Sequence, residues 1–338
     1  MMNLILNGDF NVWQSGTEFE NVSHYSLVAD GYRYGLESNS TTYDISRDED
    51  SPTDDTRYSL KVEADGAETT GESHLRHAIE GYDIEEVIGD DMTISFYVKS
   101  STVGTYSVAF HLPEENKTLV KEYDIDTANT WEKQVMTIDL PSNYDYNTTN
   151  GIGLKIRFNW ACNISGYQAP SLNQWNSGNH TGSSTQDSFA TQAGDYISIA
   201  RIRANPGDEE KEVFKRSYQE ELHACRRRLM VFNREMMERT PLSSVSVSSI
   251  LNIYIPLPNQ LRAVPNVYVT GTRGTDWQLR GINDSINTTG LQRWYSGELN
   301  SGTMMGKIRF TLGTYSAGYP YHIVLITDNT KIIFDAEF

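Results

Sequence analysis

One long stretch of the sequence, residues 209–232, has apolar residues at helical spacing, and it separates two regions that alternate as β-strands do. Its apolar residues follow one another at steps of 4, 4, 3, 4 and 3 positions, at Phe214, Tyr218, Leu222, Cys225, Leu229 and Phe232. Residues at these steps share one face of an α-helix, and Glu, Lys and Arg fill the opposite face. Asp208 is the expected N-cap of this helix. The sequence therefore predicts a helix that joins two β modules.

The region before this helix consists of short segments in which every second residue is apolar. Examples are RYSLKVEAD (57–65), MTISFYVKSS (92–101) and IGLKIRFNW (152–160). About nine or ten such segments, separated by Gly, Pro and Asn, are typical of a β-sandwich or jelly roll. The opening segment, residues 3–14, is predicted to be a short strand followed by a turn at Asn7-Gly8-Asp9. We expect residues 1–205 to form one jelly-roll β-sandwich.

A polar segment, residues 164–194, interrupts this pattern. It consists largely of Ser, Gly, Thr, Asn and Gln, and it carries Trp175 and Phe189. A connection of about 30 residues inside a compact domain is usually functional or packed as an Ω-loop. We call it the 164–194 loop.

The alternation resumes after Thr240-Pro241. Segments such as PNVYVTG (265–271), GKIRFTLG (306–313) and KIIFDAEF (331–338) predict about seven strands in this part of the chain. The predicted organisation is mainly β: a jelly roll over 1–205, a connecting helix within 206–240 and a smaller β-sandwich over 241–338.

Bulk composition narrows the classes of partner. The net charge is -17, from 28 basic and 45 acidic residues, and such an excess of carboxylates repels nucleic-acid backbones. The two cysteines are too few for a disulfide framework. MMNLILNGDF lacks the basic start of a signal peptide, and no window has the ~18 apolar residues of a membrane span. We expect folding in a reducing cytoplasm, with no nucleic-acid partner and no membrane insertion.

Signatures of catalysis and of metal binding are missing from the sequence. It contains neither G-x-S-x-G nor S-x-x-K. His74 and His77 are three residues apart, which places them on opposite faces of a strand and makes them poor metal ligands. The acidic run 48–56 lacks the ligand spacing and the glycine of a calcium loop, so a solvated loop is the better interpretation. We expect no catalytic residues and no cofactor.

Aromatic residues in irregular polar stretches are the candidates for sugar binding, because their rings stack on the faces of sugars. Tyr144, Tyr146 and Trp175 lie in such stretches. Trp160 ends a predicted strand and suits either the core or a binding surface. Trp13 and Trp131, each at a strand edge beside a turn, are interpreted as structural.

An ordered set of segments resembles a family of bacteriophage virion proteins. The segments are NLILNGDFNVWQSGT, ADGYRY, ISFYVKSSTVGTYSVAF, NTWEKQVMTIDLP, the QWNSG part of the 164–194 loop, DYISIARIRANPG, FKRSYQEELHACRRRL, IPLPNQLRAVPNVYVTG and KIIFDAEF. The resemblance spans nearly the whole chain in the same order. Members of that family carry a carbohydrate-binding-module-like jelly roll.

This resemblance implies a structural or adhesive part of a phage particle, such as a tail fibre or a head-surface protein, assembled in the host cytoplasm. It implies a homotrimer, other virion proteins as partners and a host surface polysaccharide as a further partner, without catalytic residues. The chain departs from the family at Gly31-Tyr32, where an Arg-Trp pair is frequent, and at Arg201, where an Asp is frequent. In related sugar-binding modules an Asp in that strand helps to hold a structural Ca²⁺. Arg201 therefore argues against such an ion beside Asp9.

Three functions remain open at this point. The leading hypothesis is a non-enzymatic virion protein used in particle decoration or host attachment. The alternatives are a polysaccharide depolymerase, using carboxylates such as Glu85-Glu86 or Asp90-Asp91, and a stand-alone lectin.

The helical stripe can also form an assembly contact. In a trimer, Leu222, Cys225 and Leu229 would meet at the seam, with Phe214 and Tyr218 extending it. The alternative is that the helix packs on one of its own sandwiches, because a helix of this length is not stable alone.

Overall fold

The computed structural model describes residues 3–239, 243–247, 250–257, 261–263, 265–270, 277–281, 294–296, 305–311, 321–325 and 330–336. The chain divides into two compact units, Met1–Leu222 and His223–Glu337. Strands dominate both units and helices are few. The predicted fold class, mainly β with antiparallel sheets, is confirmed.

The N-terminal unit is a two-sheet sandwich. Its strands are β1 (Glu18–Phe19), β2 (Ser26–Leu27), β3 (Tyr32–Glu37), β4 (Tyr43–Asp48), β5 (Ser59–Ala64), β6 (Glu72–Glu80), β7 (Asp91–Ser100), β8 (Gly104–Leu112), β9 (Lys117–Ile125), β10 (Glu132–Asp139), β11 (Ile152–Cys162), β12 (Trp175–Ser177) and β13 (Tyr196–Pro206). One sheet has the order β1-β4-β5-β13-β7-β10 and the other has the order β12-β9-β8-β11-β6-β3-β2. Short helical turns lie at Gly81–Ile84 (α1), Glu85–Val87 and Ser165–Tyr167. All neighbouring strands are antiparallel, so each sheet has one face free to pack on the other.

Aromatic and aliphatic side chains from the facing sides of both sheets form one core. Phe96 of β7 lies edge-on to Phe158 of β11, with ring centroids 5.1 Å apart, and edge-on to Tyr123 of β9 at 5.2 Å. Full burial of such a side chain contributes roughly 1.5–3 kcal/mol relative to exposure. The alternation predicted from sequence is the origin of this core, because every second residue of each strand points inward.

The first residues form a loop that runs beside β13, and the short strand predicted there is wrong. The amide of Leu4 donates to the carbonyl of Ala204 at 3.1 Å, and the amide of Ala204 donates to Oδ1 of Asn3 at 2.9 Å. The predicted turn is present, with Asn7 at φ 54°. A Cβ on Gly8 would lie 2.1 Å from the carbonyl oxygen of Ile202, so only glycine allows this close approach.

Strand β6, near the middle of the seven-stranded sheet, has no counterpart among the predicted strands. Its sequence, ESHLRHAIE, carries polar residues on both faces and thus lacks clean alternation. His74 lies on the outer face of the sheet, where it contacts Glu72. His77 lies on the face toward the core, where its ring centroid is 4.9 Å from that of Tyr32. The expectation that the two histidines lie on opposite faces is confirmed.

The predicted helix over 209–232 is much shorter in the structure. Helix α2 spans Tyr218–Arg226, and residues 209–217 before it are not helical, so Asp208 is not its N-cap. A capping box starts it instead: the amide of Glu220 donates to Oγ of Ser217 at 3.4 Å, and the amide of Ser217 donates to Oε2 of Glu220 at 2.8 Å.

The end of the predicted helix is a strand. Residues 229–232, LMVF, form β14 (Leu229–Phe232), and all four are buried. Four consecutive buried apolar residues fit a strand covered on both faces as well as they fit a helical stripe, and a short apolar run does not decide between them. No helix in the described part of the chain is long and apolar enough to cross a membrane.

The described residues of the C-terminal unit form three antiparallel sheets. After β14 come helix α3 (Arg234–Arg239) and strands β15 (Ser243–Val247), β16 (Ile250–Pro256), β17 (Asn266–Val269), β18 (Trp277–Gly281), β19 (Trp294–Ser296), β20 (Met305–Thr311), β21 (Tyr321–Leu325) and β22 (Ile332–Asp335). The sheet orders are β14-β22-β17, β15-β16-β20-β19 and β18-β21. Side chains from all three sheets meet in one core, including Phe232, Ile255, Leu325 and Phe334. The predicted strands of this region are thus largely present, in agreement with the β assignment.

Candidate functional site

Two of the predicted sugar-binding residues meet at one edge of the seven-stranded sheet. Trp175 lies in β12, the edge strand, where it pairs with Leu119 of β9. Its ring lies 6.1 Å from that of Tyr144, at an interplanar angle of 87°. Both side chains are partly exposed. We call Trp175, Tyr144, Tyr146, Lys117 and Glu115 the Trp175 patch.

The rings of the Trp175 patch are held in place. Nε1 of Trp175 donates to the carbonyl of Asp139 at 3.2 Å, and the hydroxyl of Tyr146 donates to the carbonyl of Pro141 at 3.0 Å. Burial raises the pKa of Tyr146, and the nearby carboxylate of Asp139 raises it further. All three aromatic rings pack partly against the sandwich core. Binding a ligand there would therefore require little ordering of side chains.

Charged groups complete the Trp175 patch, and sequence reasoning missed them. Nζ of Lys117 lies 3.9 Å from the centroid of the Tyr144 ring and 3.3 Å from Oε1 of Glu115. The amide of Asp145 donates to Oε2 of Glu115 at 3.0 Å, which is the main cause of the lowered pKa of Glu115. Aromatic faces beside an ammonium and a carboxylate match the apolar face and the hydroxyls of a sugar.

Trp160 is not part of a binding surface, and this corrects its place among the predicted sugar-binding residues. The side chain is fully buried between the two sheets, and its Nε1 donates to the hydroxyl of Tyr123 at 3.1 Å. Alternation along β11 turns Trp160 to the same side as Phe158 and Ile156, which are core residues.

The 164–194 loop is packed on the outer face of the seven-stranded sheet. Arg157 of β11 donates from Nη1 to the carbonyl of His180 at 3.1 Å and from Nη2 to Oδ1 of Asn179 at 2.7 Å. Oγ1 of Thr118 donates to the carbonyl of Gly178 at 2.7 Å. Apolar contacts between Ala169 and the sheet residues Ala109 and Val120 add to these bonds. The loop is thus packed against the sheet, and it also supplies Trp175 to the Trp175 patch.

Beneath this loop the sheet carries buried ionisable groups that are kept neutral or paired. Burial, together with the positive charges of Arg157 and Lys155, lowers the pKa of His111 to about 3. Burial also lowers the pKa of His74, although Nδ1 of His74 lies 2.5 Å from Oε1 of Glu72. Among the described residues no group of three or more His, Cys, Asp or Glu side chains is placed to hold a metal.

The region of Asp9 does not fit a structural Ca²⁺. Oδ1 of Asp9 accepts a hydrogen bond from Nη2 of Arg203 at 2.6 Å, and its Oδ2 lies 3.7 Å from Nζ of Lys215. Arg201 turns away to pair with the side chain of Asp55 and to donate to Oγ1 of Thr53 at 3.0 Å. Cations occupy the place where a calcium ion needs oxygen ligands.

The five residues predicted to form an oligomer seam separate into two groups. Cys225 and Leu229 are buried, at 1% and 0% exposure, and Leu229 belongs to strand β14. They are therefore not available for a seam between copies, which corrects the prediction for these two positions. Phe214 and Tyr218 are exposed, at 65% and 54%, and Leu222 is half-buried.

Comparisons with known proteins give similarity of fold only. No protein-family model and no curated protein matches the chain. Among solved structures, the chain is similar to the enzymatically active domain of tailspike protein 4 of bacteriophage CBA120, with 15% identity over 55% of this chain and a TM-score of 0.33. The match covers 21% of that tailspike chain.

Two carbohydrate-binding modules are also similar to this chain. TmCBM61, in complex with β-1,4-galactotriose, has 10% identity over 61% of this chain and 99% of that chain, with a TM-score of 0.33. A family 11 carbohydrate-binding module from Clostridium thermocellum, in complex with a β-1,3-1,4-mixed-linked tetrasaccharide, has 10% identity over 57% and 98%, with a TM-score of 0.30. At these identities and TM-scores the comparisons carry no argument about function.

Proposed function

We propose that the N-terminal sandwich is a non-catalytic glycan-binding module. The observation that carries this proposal is the pair of partly exposed, anchored rings of Trp175 and Tyr144, with Lys117 and Glu115 beside them. Such a patch offers stacking surface and hydrogen-bonding groups to one or two sugar units. A patch of this size contacts only one or two sugar units, so binding by a single patch is weak and gains from several copies.

The exposure of the paired carboxylates supports a binding role over a hydrolase. Glycoside hydrolysis requires two carboxyl groups that face each other across the scissile bond, one of them with a raised pKa. Glu85, Glu86 and Asp90 are exposed to solvent, whereas a carboxyl group with a raised pKa is usually buried. A depolymerase remains the second candidate, and release of reducing ends from host polysaccharide would decide for it.

We further propose that the chain is a component of a phage particle, as a tail fibre or head-surface protein. In that particle three copies of the chain form a homotrimer, and other virion proteins are its neighbours. The ordered resemblance of its segments to phage virion proteins supports this proposal. Because Cys225 and Leu229 are buried, the proposed trimer contact does not include these two residues. Light scattering on the purified chain tests the trimer: three copies are expected, and a monomer at micromolar concentration would contradict it.

The glycan proposal is tested by the variant Trp175→Ala on an array of bacterial surface glycans. We expect the intact chain to bind at least one glycan, and Trp175→Ala to reduce that binding about tenfold. Trp131→Ala is the matched control, because Trp131 is also partly exposed but lies outside the Trp175 patch. Loss of binding in Trp131→Ala with full binding in Trp175→Ala would refute the assignment, as would the absence of binding to every glycan.

A further inference from the structure

A groove of the N-terminal unit, separate from the Trp175 patch, carries positive charge, although the protein as a whole is strongly acidic. It is an open groove with a volume of about 760 Å³, lined among others by Arg47, Arg57, Tyr58, Phe214, Lys215 and Tyr218. Arg216 and Glu220 also contribute, so the lining holds four cations and one carboxylate. We call this surface the arginine groove.

Two of its cations are free to meet a ligand. The guanidinium carbons of Arg47 and Arg57 lie 4.2 Å and 4.9 Å from the centroid of the same ring, that of Tyr58. Within the described part of the chain, neither guanidinium is paired with a carboxylate. Two like charges are thus held at one ring, and a bound anion would offset their repulsion. Arg57 also lines a neighbouring cleft with Glu49 and Asp54.

The other two cations are partly satisfied by the protein. Nζ of Lys215 lies 3.7 Å from Asp9, and Nη1 of Arg216 lies 3.5 Å from Oε1 of Glu221. They position the segment before α2 rather than presenting free charge. The anion-binding capacity of the groove therefore rests mainly on Arg47 and Arg57.

Exposed aromatic rings accompany these charges. Phe214 and Tyr218 are 65% and 54% exposed, the two most exposed of their kind in the segment that leads into α2. Apolar rings on a wall of a positively charged groove favour a ligand that combines an apolar face with an anionic group.

We infer that the arginine groove binds a carboxylate-bearing saccharide, that is, a glycan containing uronic acid. A guanidinium binds a carboxylate through two parallel hydrogen bonds, and the rings of Phe214 and Tyr218 accept the apolar face of a sugar. A nucleic acid is a poorer ligand, because the net charge of -17 repels a dense polyphosphate. A polyuronate carries fewer charges per unit length, so the local attraction of the groove outweighs this repulsion within one Debye length, about 8–10 Å.

This inference is independent of the Trp175 patch, because none of the lining residues belongs to that patch. The test is calorimetric titration of the full chain with polygalacturonate, alginate and hyaluronate, each compared with its carboxyl-reduced, uncharged form. We expect at least one polyuronate to bind, its reduced form to bind at least tenfold more weakly, and added salt to weaken binding. Arg57→Gln and Arg47→Gln should each weaken binding about tenfold or more.

Lys121→Gln is the matched control, since it removes one positive charge from β9, outside the groove. It should leave the affinity unchanged. The oligomeric state of every variant is measured alongside. The inference is overturned if no polyuronate binds, if the reduced polymers bind equally well, or if Lys121→Gln weakens binding as much as Arg57→Gln.

Discussion

The buried imidazole of His111 makes the N-terminal unit sensitive to acid, and replacing it should remove part of that sensitivity. His111 lies on the outer face of β8 beneath the 164–194 loop and is 4% exposed. The charged groups that act on it, Arg157, Lys155 and Arg76, are all positive. The folded protein therefore keeps this imidazole neutral at pH values where the unfolded chain protonates it.

The magnitude follows from the two pKa values. His111 has an ordinary pKa of 6.5 and a folded-state pKa of about 3. Because the folded pKa is depressed, the stability is intact above pH 6.5 and is lost as the pH falls, since protons bind preferentially to the unfolded chain. Between pH 7 and pH 4.5 this single group lowers the free energy of unfolding by about 2.5 kcal/mol. The value changes little for any folded pKa below about 4, so it does not depend on the exact shift.

The assay is denaturant unfolding of the chain and of His111→Gln at pH 7 and at pH 4.5. Glutamine fills similar space and does not titrate, so the variant should lose about 2.5 kcal/mol less than the original chain over this interval. His24→Gln, which removes an exposed imidazole, controls for the loss of one histidine. An equal pH dependence in the chain and in His111→Gln would refute the reasoning, whatever the stability at pH 7.

Trp160→Ala should lower the free energy of unfolding by about 3–5 kcal/mol, because it empties a fully buried site in the sandwich core; a change below about 1 kcal/mol in denaturant unfolding would contradict this. Arg157→Met removes both hydrogen bonds from the guanidinium to the 164–194 loop. Limited proteolysis should therefore cut that loop faster, while the circular dichroism of the β-sheets is retained. An unchanged rate of cleavage would contradict this prediction. Leu229→Asp should unfold the C-terminal unit, because it places a charge at a fully buried strand position, whereas Tyr218→Asp, at an exposed position, should not. If Leu229→Asp instead gave a thermally stable protein that no longer assembles, Leu229 would belong to the contact between copies, as the sequence predicted.

The strands were predictable where one face of a strand meets the core and the other meets water. RYSLKVEAD has that pattern, and it forms β5, in which Lys61 is partly exposed and Glu63 is exposed. Strand β6 was missed because its outer face is itself covered by a loop, so its polar residues serve as partners of the loop and hide the alternation. The prediction of a long helix was wrong because the buried run LMVF continues the helical spacing by chance, whereas in the structure it forms a strand.

The site was predictable only in part, because its members come from distant segments. Tyr144 and Trp175 were both chosen for lying in irregular polar stretches, and the fold brings them together. Burial of Trp160 depends on which way a strand faces at its last residues, which the sequence alone leaves open. The arginine groove joins β4 and its neighbours to residues more than 150 positions later, such as Phe214. Nothing local in the sequence links such segments, although S-x-x-E at Ser217 marks the true start of α2.

The pairing of the first residues with the last strand of the sandwich has a mechanical consequence. The amide of Leu4 donates to the carbonyl of Ala204 at 3.1 Å, and the amide of Ile202 donates to the carbonyl of Gly8 at 2.8 Å. The first residues thus lie beside β13, the last strand of the sandwich. Tension applied to a chain that contains the unit would load the short junction between these segments and β13, not the whole width of both sheets.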